Sequence, residues 1–253
     1  MKRNSFARLG NRLRDFLMWY FPLLLHSSSG IALKMKDRSQ LRLYEQIFVE
    51  DVFCMNKVKN LLQKKDPVIF DIGANCGFFT VRVLDFWPNA KIYAFEPNGK
   101  LIQDIISTLE LNEIGGKVVC VESAMGESDG KAIFYQNRSP ISSSLVRDKV
   151  AQRRIVKQSY VDVTSLNRYV AEHAIREIDL LKIDVEGSER DVLEGATNVL
   201  GKVFLLIIEV HPPFATVKEI QDIVKVHGLA RAHDLERPGG KGNDLVFVNK
   251  NRG

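Results

Sequence analysis

Short apolar segments alternate with segments of helical periodicity along most of the chain. The apolar segments are rich in Val, Ile and Leu, which is typical of strands buried on both faces of a parallel sheet. Five core strands are predicted, beginning with VIFD at Val68 and continuing at residues 91–95, 118–121, 180–185 and 203–210. Together with the helical periodicity that follows the second strand, this alternation predicts an α/β fold with helices on both faces of a mostly parallel sheet.

Further strands are predicted outside the parallel core. Residues 131–136 and 160–163 are expected to form extra strands around a polar loop. Residues 229–233 and 245–248 flank a turn at 237–242 that contains Pro and Gly, so we expect an antiparallel C-terminal hairpin. Five parallel strands and this hairpin make a seven-stranded sheet.

The first core strand runs into a glycine turn, and the second ends in an acid. The turn is Asp71 to Gly77 with the pattern D-x-G-x-N-x-G, and Glu96-Pro97 follows the second strand. In doubly wound sheets this arrangement forms a nucleotide-type pocket at the carboxyl ends of the strands. The glycines allow a close approach of backbone to ligand, and the Glu96 carboxylate can accept hydrogen bonds from both hydroxyls of a ribose.

The pattern of the turn favours S-adenosylmethionine over a dinucleotide. A dinucleotide fingerprint has G-x-G-x-x-G, which places helix amides against a pyrophosphate. Asp71 would repel a pyrophosphate, whereas it suits a ligand that carries an ammonium and a sulfonium group. A structural turn without a ligand is the competing interpretation, and the position of Glu96-Pro97 at the end of the next strand weakens it.

A second group of charged residues follows the fourth and fifth core strands. Lys182 and Asp184 lie on one side of a strand by period-two alternation, and Glu186 follows them. The fifth strand ends with Glu209 and, two residues later, His211. Because the carboxyl ends of parallel strands share one edge, these candidate catalytic and acceptor-side residues are expected to gather beside the glycine turn. His211 is the candidate base because it titrates nearest neutral pH.

Structural interpretations of the same residues remain open. Ser188 could cap the helix that follows, with Glu189 favouring the positive helix end, and His211 could hydrogen-bond a loop. The acids could also bind Mg²⁺, because hard cations take carboxylate oxygens. No spacing in the sequence requires a metal, so none is predicted.

The composition is that of an ordinary globular protein with one well-buried domain. The chain has 253 residues, 45% of them hydrophobic and 26% charged. Its three cysteines are widely spaced without a C-x-x-C pair, which predicts free thiols in a reducing, cytoplasmic compartment. The net charge of +5 is uneven, because residues 1–38 carry eight Lys/Arg against two Asp and the remainder carries 28 basic and 29 acidic residues. Because the chain after residue 38 is nearly neutral, we expect no nucleic-acid partner.

Residues 1–37 are predicted to be a basic and apolar N-terminal extension of the domain at 38–253. The apolar run at 16–25 is shorter than the about 20 residues that a membrane-spanning helix needs. It could be an interfacial anchor that gives peripheral membrane contact through residues 1–36. It could also be a helix packed on the domain or on a partner, or a signal peptide with Ser27-Ser28-Ser29 as cleavage region. Secretion would separate the enzyme from its cofactor pool.

The assembled motifs resemble the FkbM-type family of S-adenosylmethionine-dependent methyltransferases over about residues 38–248. A segment ending in EQIFVEDVF at Phe53 also resembles that family. The matching motifs are FDIGANCGFFT at 70–80, YAFEPN at 93–98, ESAMGESDG at 122–130, SSSL at 142–145, VTSL at 163–166, LLKIDVEGSERDVLEGA at 180–196 and IIEVH at 207–211. The family often has an Asp after its Thr-Leu pair, but here Asn167 follows Ser165-Leu166, so no acid role is assigned at that position.

The resemblance implies a class I methyltransferase (Rossmann-like) fold, S-adenosyl-L-methionine as cofactor, and O-methylation of a hydroxyl. The favoured acceptor is a sugar of a glycan, glycolipid or polysaccharide precursor. The N-terminal extension lies outside the resemblance. Predicted cofactor contacts come from Asp71, Gly73, Ala74, Asn75, Gly77, Glu96, Pro97, Ser123 and Ala124.

Other functions remain open. The acceptor could be a small metabolite, a lipid or a protein. The chain could also be a non-catalytic cofactor-binding module that acts through its N-terminal segment, although the intact glycines and acids argue against a decayed pocket. A nicotinamide oxidoreductase is disfavoured by the missing G-x-G-x-x-G.

Overall fold

The central sheet has seven strands, which confirms the predicted α/β, class I methyltransferase (Rossmann-like) fold. The computed structural model describes residues 18, 21–137, 142–151, 155–236 and 243–252. Its strands are β1 (Leu23–His26), β2 (Ala32–Met35), β3 (Val68–Ile72), β4 (Lys91–Phe95), β5 (Val118–Val121), β6 (Ala124–Met125), β7 (Gly130–Asn137), β8 (Ile155–Thr164), β9 (Ile178–Ile183), β10 (Val203–Glu209), β11 (Leu229–Arg231) and β12 (Asp244–Asn249). The order across the sheet is β11-β12-β10-β9-β3-β4-β5.

The strands from β10 to β5 in this order run parallel, and β12 is antiparallel to both β10 and β11. The predicted C-terminal hairpin is therefore confirmed, while its turn at 237–242 lies outside the described residues. Some predicted strand boundaries were wrong. The strand predicted over 180–185 spans Ile178–Ile183, and the strand predicted over 203–210 ends at Glu209. The strand predicted to reach His233 ends at Arg231, because a 3₁₀ turn begins at His233.

Helices cover both faces of the sheet. They are α1 (Arg38–Tyr44), which continues as a π-helical turn (Glu45–Val49), α2 (Met55–Leu61), α3 (Phe78–Phe86), α4 (Gly99–Leu111), α5 (Arg147–Ala151), α6 (Leu166–Glu172), α7 (Glu189–Glu194) and α8 (Val217–Lys225). Further 3₁₀ turns lie at Gly115–Lys117 and Leu200–Lys202. The pattern that predicted a helix over 98–111 corresponds to α4, whose N-cap Asn98 accepts the Lys100 amide.

Alternation along each strand divides the core into two layers. Ile69 of β3 packs with Val83 of α3 and Ile105 of α4. The next residue, Phe70, points to the opposite face and packs in the layer of Tyr169, a residue of α6. Burial on both faces explains why the core strands are continuous apolar runs instead of alternating ones.

A small second sheet confirms the predicted extra strands. Its order is β6-β8-β7, with β8 parallel to β6 and antiparallel to β7. The strand predicted at 160–163 is longer than expected, because β8 begins at Ile155. The loop between these strands lies partly outside the described residues.

The end of the apolar N-terminal run lies in a hairpin, whereas Met18 within the run is helical. Residues 23–25 of the run belong to β1, which pairs antiparallel with β2. Leu33 and Met35 of β2 are fully buried in the layer of α3 and α4, while Lys34 between them is exposed. This period-two burial is the pattern of a strand with one buried face, and a helix could not produce it.

Three serines in the hairpin turn attach it to the domain. Ser27, Ser28 and Ser29, considered above as a cleavage region, all donate hydroxyl hydrogen bonds to the Asp85 carboxylate of α3. The Ser29 amide donates to the same carboxylate at 3.1 Å. Burial opposes the charge of Asp85, but these donors hold its pKa below the usual range.

No helix among the described residues is long and apolar enough to cross a bilayer. The three cysteines are free thiols, with Cys54 and Cys76 buried and Cys120 partly buried.

We expect Asp85→Asn to lower the free energy of unfolding by about 1–3 kcal/mol at neutral pH, since several serine donors lose an ionised acceptor. Urea denaturation monitored by circular dichroism measures this. Asp222→Asn is the control, because Asp222 pairs with Lys218 on the exposed surface. The contribution of Asp85 is complete above the pKa of an unfolded Asp and is lost as the pH falls through its depressed native pKa. An equal loss in both variants would contradict the prediction.

Candidate functional site

Four candidate residues lie at one level along the carboxyl edge of the sheet. In the strand register, Ile72 pairs with both Phe95 and Ile183, and Ile183 pairs with Ile208. The next residue of each strand is therefore at the same height. These residues are Gly73, Glu96, Asp184 and Glu209, which came from separate sequence motifs.

The glycine turn lies against the end of β9. Gly73 has a φ of +76°, and a Cβ at this position would lie 1.8 Å from the carbonyl oxygen of Asp184. Asn75 also has a positive φ, of 55°, and its amide donates to Glu96. Gly73 is thus required for the close approach of two strand ends, in addition to any contact with a ligand.

Glu96 is held in place by the backbone on both sides. Its Oε2 accepts the Asn75 amide at 3.0 Å, and its Oε1 accepts the Asn98 amide at 2.9 Å. Burial outweighs these donors and raises the pKa of Glu96 to about 7. Each carboxylate oxygen can accept a second hydrogen bond, so the residue retains the capacity for two ribose hydroxyls.

Asp71 lies behind the turn. It is fully buried, its Oδ2 accepts from the Thr80 hydroxyl at 2.7 Å, and its Oδ1 lies 3.2 Å from Lys182 Nζ. Lys182 Nζ also donates to the Gly73 carbonyl at 2.8 Å. Burial opposes the charge of Lys182, but Asp71 and Asp184 outweigh it and raise its pKa. Asp71 is therefore placed to act on the turn through Lys182.

Two adjoining cavities open at this edge. The first has about 590 Å³ of empty space, including solvent at its open mouth, and is lined by polar Glu96 and Ser123, by Pro97 and Ala124, and by apolar side chains such as Phe134. The second has about 1070 Å³ of empty space, also including open solvent. Its lining includes Ala74, Lys182 and Glu209 from the candidate set, together with Ser39, Arg42, Gln46, Phe53, Phe78 and Phe79.

The two cavities meet at Gly73, Asn75, Asp184 and Glu186, which line both of them. A molecule in the first cavity and a molecule in the second would therefore approach each other at these residues. Among the predicted contacts, Asp71 and Gly77 line neither cavity. Gly77 instead makes room for α4, because a Cβ there would lie 2.9 Å from Ile105.

His211 lies among acids beside the junction, although it lines neither cavity. Its Nε2 is 3.6 Å from Glu186 Oε2 and 3.5 Å from Glu209 Oε1, while its Nδ1 is 2.8 Å from Glu189 Oε1. Burial lowers the pKa of His211, but the Glu189 hydrogen bond and the charge of Asp184 raise it to about 9. The charge of Asp184, together with burial, raises the pKa of Glu209 to about 8.

Several residues at the site were missed in the sequence. Lys149 of α5 lies 3.0 Å from Glu186, and the Ser144 hydroxyl donates to the Glu186 carbonyl at 2.8 Å. Ser144 ends the polar loop and Lys149 follows it, and no strand periodicity fixes the position of either residue. Glu189 was considered only as an acid at a helix end, and Ser188, considered as a cap, makes no side-chain capping bond.

A metal could be bound at the same place. Asp184, Glu209 and His211 each offer one ligand atom, and these atoms lie within 4.8 Å of one another. This spacing is compatible with a divalent cation. The sequence predicts no metal, and that stays a prediction.

Comparison with known proteins identifies the family of the chain that carries this site. The model of the "Methyltransferase FkbM domain" matches residues 71–229, which is more than half of the chain. The chain belongs to this family. The match runs from Asp71 to Leu229, so it contains the glycine turn, Glu96 and the acids around His211. The FkbM methyltransferase domain therefore includes both the cofactor-side and the acceptor-side candidates.

The chain is similar to several named methyltransferases. "Methyltransferase 1" of Beauveria bassiana is 30% identical over 200 residues, which cover 71% of this chain and 78% of the relative. "2-O-methyltransferase NoeI" of Sinorhizobium fredii is 25% identical over 221 residues, which cover 83% and 79%. "Hexuronic acid methyltransferase AglP" of Haloferax volcanii is 26% identical over 148 residues, which cover 58% and 57%.

In this FkbM-family site, we expect Lys182→Met to lower the free energy of unfolding by about 3–5 kcal/mol, because Asp71 would remain as an uncompensated buried charge. The double variant Lys182→Met/Asp71→Asn should recover a large part of the loss. Urea denaturation of wild type, both single variants and the double variant completes the cycle.

Lys218→Met is the matched control, since the Lys218 side chain is 85% exposed. A double variant that is no more stable than Lys182→Met would show that Lys182 does not stabilise the turn through Asp71.

Proposed function

We propose that this methyltransferase transfers a methyl group from S-adenosyl-L-methionine to a hydroxyl, with a sugar of a glycan, glycolipid or polysaccharide precursor as the favoured acceptor. The observation that carries the proposal is the junction of two cavities at Gly73, Asn75, Asp184 and Glu186. One cavity has the features of a nucleoside site. The other is lined by acids that include Glu209, whose Oε1 lies 3.5 Å from Nε2 of His211, a group that can receive a proton.

The first cavity fits the nucleoside part of the cofactor. Glu96 offers open acceptor positions for the ribose, and Phe95, Met125 and Phe134 give the apolar wall that a purine needs. Ser123 and Ala124 line the same cavity, with the Ser123 hydroxyl held by the carbonyls of Ala124 and Asp162. The amino-acid end would extend over Gly73 and Asn75 toward Asp184. In this proposal Asp71 positions the turn through Lys182.

The acceptor-side residues supply orientation and a base. When bound, the cofactor supplies an electrophilic methyl group, and transfer gives a methyl ether and S-adenosylhomocysteine. The hydroxyl loses its proton, and His211 or Glu209 is placed to receive it. The raised pKa of His211 keeps its imidazole protonated while only acids surround it. Positive charge brought to this edge lowers that pKa, so a bound sulfonium favours the neutral imidazole that a base requires.

The second cavity supports a polar acceptor. Ser39, Arg42 and Gln46 offer hydrogen bonds on one wall, and Phe78 and Phe79 give aromatic surface. Sugars present hydroxyls and apolar ring faces, so this mixture suits them. The name of the hexuronic acid methyltransferase relative points to a sugar acid, and that of the 2-O-methyltransferase relative points to methylation of an oxygen.

Peripheral membrane contact through residues 1–36 remains part of the proposal. Phe21, Leu23 and Leu24 at the start of the hairpin are exposed and follow the basic N-terminal segment. Apolar side chains next to basic ones suit the interface of an anionic membrane. Such an attachment would place a cytoplasmic enzyme beside lipid-linked sugars.

We expect the affinity for S-adenosylmethionine to fall as the pH decreases below about 7, because protonated Glu96 loses acceptor capacity for the ribose. The dissociation constant should rise roughly tenfold for each pH unit below 7. Isothermal titration calorimetry between pH 5 and 8 measures this.

The dissociation constant of methylthioadenosine should depend on pH in the same way, because this compound keeps the ribose and lacks the amino-acid end near His211. Glu96→Gln should bind weakly without this pH dependence, and Glu110→Gln on the exposed face of α4 is the control. A pH-independent affinity of the wild type would contradict the assignment of Glu96.

The function is tested by incubating the full-length protein with methyl-labelled S-adenosylmethionine and a cell extract. Lipid-linked glycan, polysaccharide, small-molecule, protein and nucleic-acid fractions are then counted. Label in a glycan fraction that is reduced at least about 100-fold in Asp184→Asn supports sugar O-methylation. Label in another fraction keeps the methyltransferase and replaces the acceptor.

Absence of label together with absence of cofactor binding would overturn the proposal, and binding of NAD instead would favour an oxidoreductase. A variant lacking residues 1–20 distinguishes membrane-linked from soluble acceptors. This end point preserves the hairpin, whereas removal of residues 1–36 would expose the core around Leu33 and Met35.

A further inference from the structure

We infer that Glu189 is a positioning residue for methyl transfer, because its carboxylate holds the imidazole of His211 so that Nε2 faces the acceptor-side acids. This inference rests on the proposed function, in which His211 receives the hydroxyl proton. In the sequence analysis, Glu189 was considered only as an acid at the N-terminal end of a helix.

The burial of Glu189 is more than a helix end requires. The residue begins α7, its side chain is fully buried, and its Oε2 has no hydrogen-bond partner among the described residues. An acid can stabilise a helix N-terminus while it stays in water, so this role does not explain the burial. A buried carboxylate needs a close polar partner, and His211 Nδ1 lies 2.8 Å from Glu189 Oε1.

The local backbone aims the carboxylate. Glu186 has a φ of +57° and Gly187 a φ of +115°, so the chain turns sharply between β9 and α7. The turn brings the Gly187 amide to 2.9 Å from Glu189 Oε1. Oε1 thus has one donor from the backbone and one from the imidazole, and the two contacts fix its direction.

The contact selects one tautomer of His211. An ionised carboxylate only accepts hydrogen bonds, so the proton of a neutral imidazole is held on Nδ1. The lone pair then belongs to Nε2. This nitrogen lies 3.6 Å from Glu186 and 3.5 Å from Glu209, both of which line the second cavity. Nε2 is therefore the nitrogen that can accept a proton from a hydroxyl bound there.

The charged groups around His211 divide into two sets. Glu189 contacts Nδ1 and is fully buried, whereas Glu186 and Glu209 face Nε2 and their side chains are 20% and 38% exposed. Asp184 of β9 adds negative charge, and Lys149 of α5 pairs with Glu186. A partly exposed acid can exchange its contact with the ring for one with a ligand. Glu189 has no such freedom.

The tautomer can be observed directly. Full-length protein with ¹⁵N-labelled histidine is studied by long-range ¹H–¹⁵N correlation as the pH is raised until His211 is neutral. The chain has five histidines, and His211→Gln assigns the signal. We expect Nδ1–H for His211 in the wild type. An Nε2–H signal in the wild type would overturn the inference without any variant of Glu189.

Glu189→Gln tests the carboxylate at constant volume. The amide oxygen of this variant can still accept from Nδ1–H but carries no charge, so we expect the Nε2–H form, which predominates for histidine in water, to gain population and kcat to fall roughly 100-fold. The KM for S-adenosylmethionine should change little. Glu194→Gln on the same helix is the matched control, since Glu194 pairs with Arg190 at the surface. Glu189→Asp keeps the charge at a shorter reach and should restore part of kcat.

The outcomes separate the inference from the proposed function. If the wild type transfers no label from S-adenosylmethionine, the proposed function fails while the tautomer result stands on its own. If the wild type transfers label and Glu189→Gln keeps both the tautomer and kcat, the positioning role is wrong. A general loss of folding in Glu189→Gln leaves the wild-type tautomer and Glu189→Asp to decide.

Discussion

The ion pair between Lys182 and Asp71 is the interaction on which the candidate site depends. Lys182 belongs to a fully buried strand, and its ammonium reaches across to Asp71 and to the Gly73 carbonyl. A charge at this depth is tolerated only with a close partner and with its hydrogen bonds satisfied. The pair therefore joins the ends of β3 and β9, and it holds the glycine turn against the carbonyl of Asp184. The functional edge is built on a cation that does not need to touch the ligand.

This ion pair between β3 and β9 explains why residues distant in sequence form one site. Once β3 and β9 are in register, the parallel pairings place Glu96 and Glu209 at the same level on either side. Helices on both faces prevent the strands from sliding, because a shift of one residue would exchange the two core layers. The cavities then follow from where the strands end, and their junction lies at the central pair. The site is thus a consequence of register more than of any single motif.

Prediction from the sequence succeeded where chemistry and periodicity coincide. The core strands are apolar runs that end in charged or glycine residues, so their edge and the gathering of Glu96, Asp184, Glu209 and His211 could be inferred before the structure. The sequence did not indicate which residues contact each other over long distances along the chain. Nothing in the sequence joins Ser27-Ser28-Ser29 to Asp85, and the apolar run at 16–25 gives no sign that its last residues enter a hairpin. Long-range pairing decides such segments, and local pattern does not record it.

The balance of charge at the edge supports the proposed cofactor. Asp71, Asp184, Glu186, Glu189 and Glu209 gather there with three cationic groups, Lys149, Lys182 and His211. Acids are in excess, and their repulsion is visible in the raised pKa of Glu209. A ligand with a sulfonium and an ammonium relieves this repulsion, whereas a pyrophosphate would increase it. In the proposed function, the same relief would release the proton of His211, so the charge that favours cofactor binding would also prepare the base.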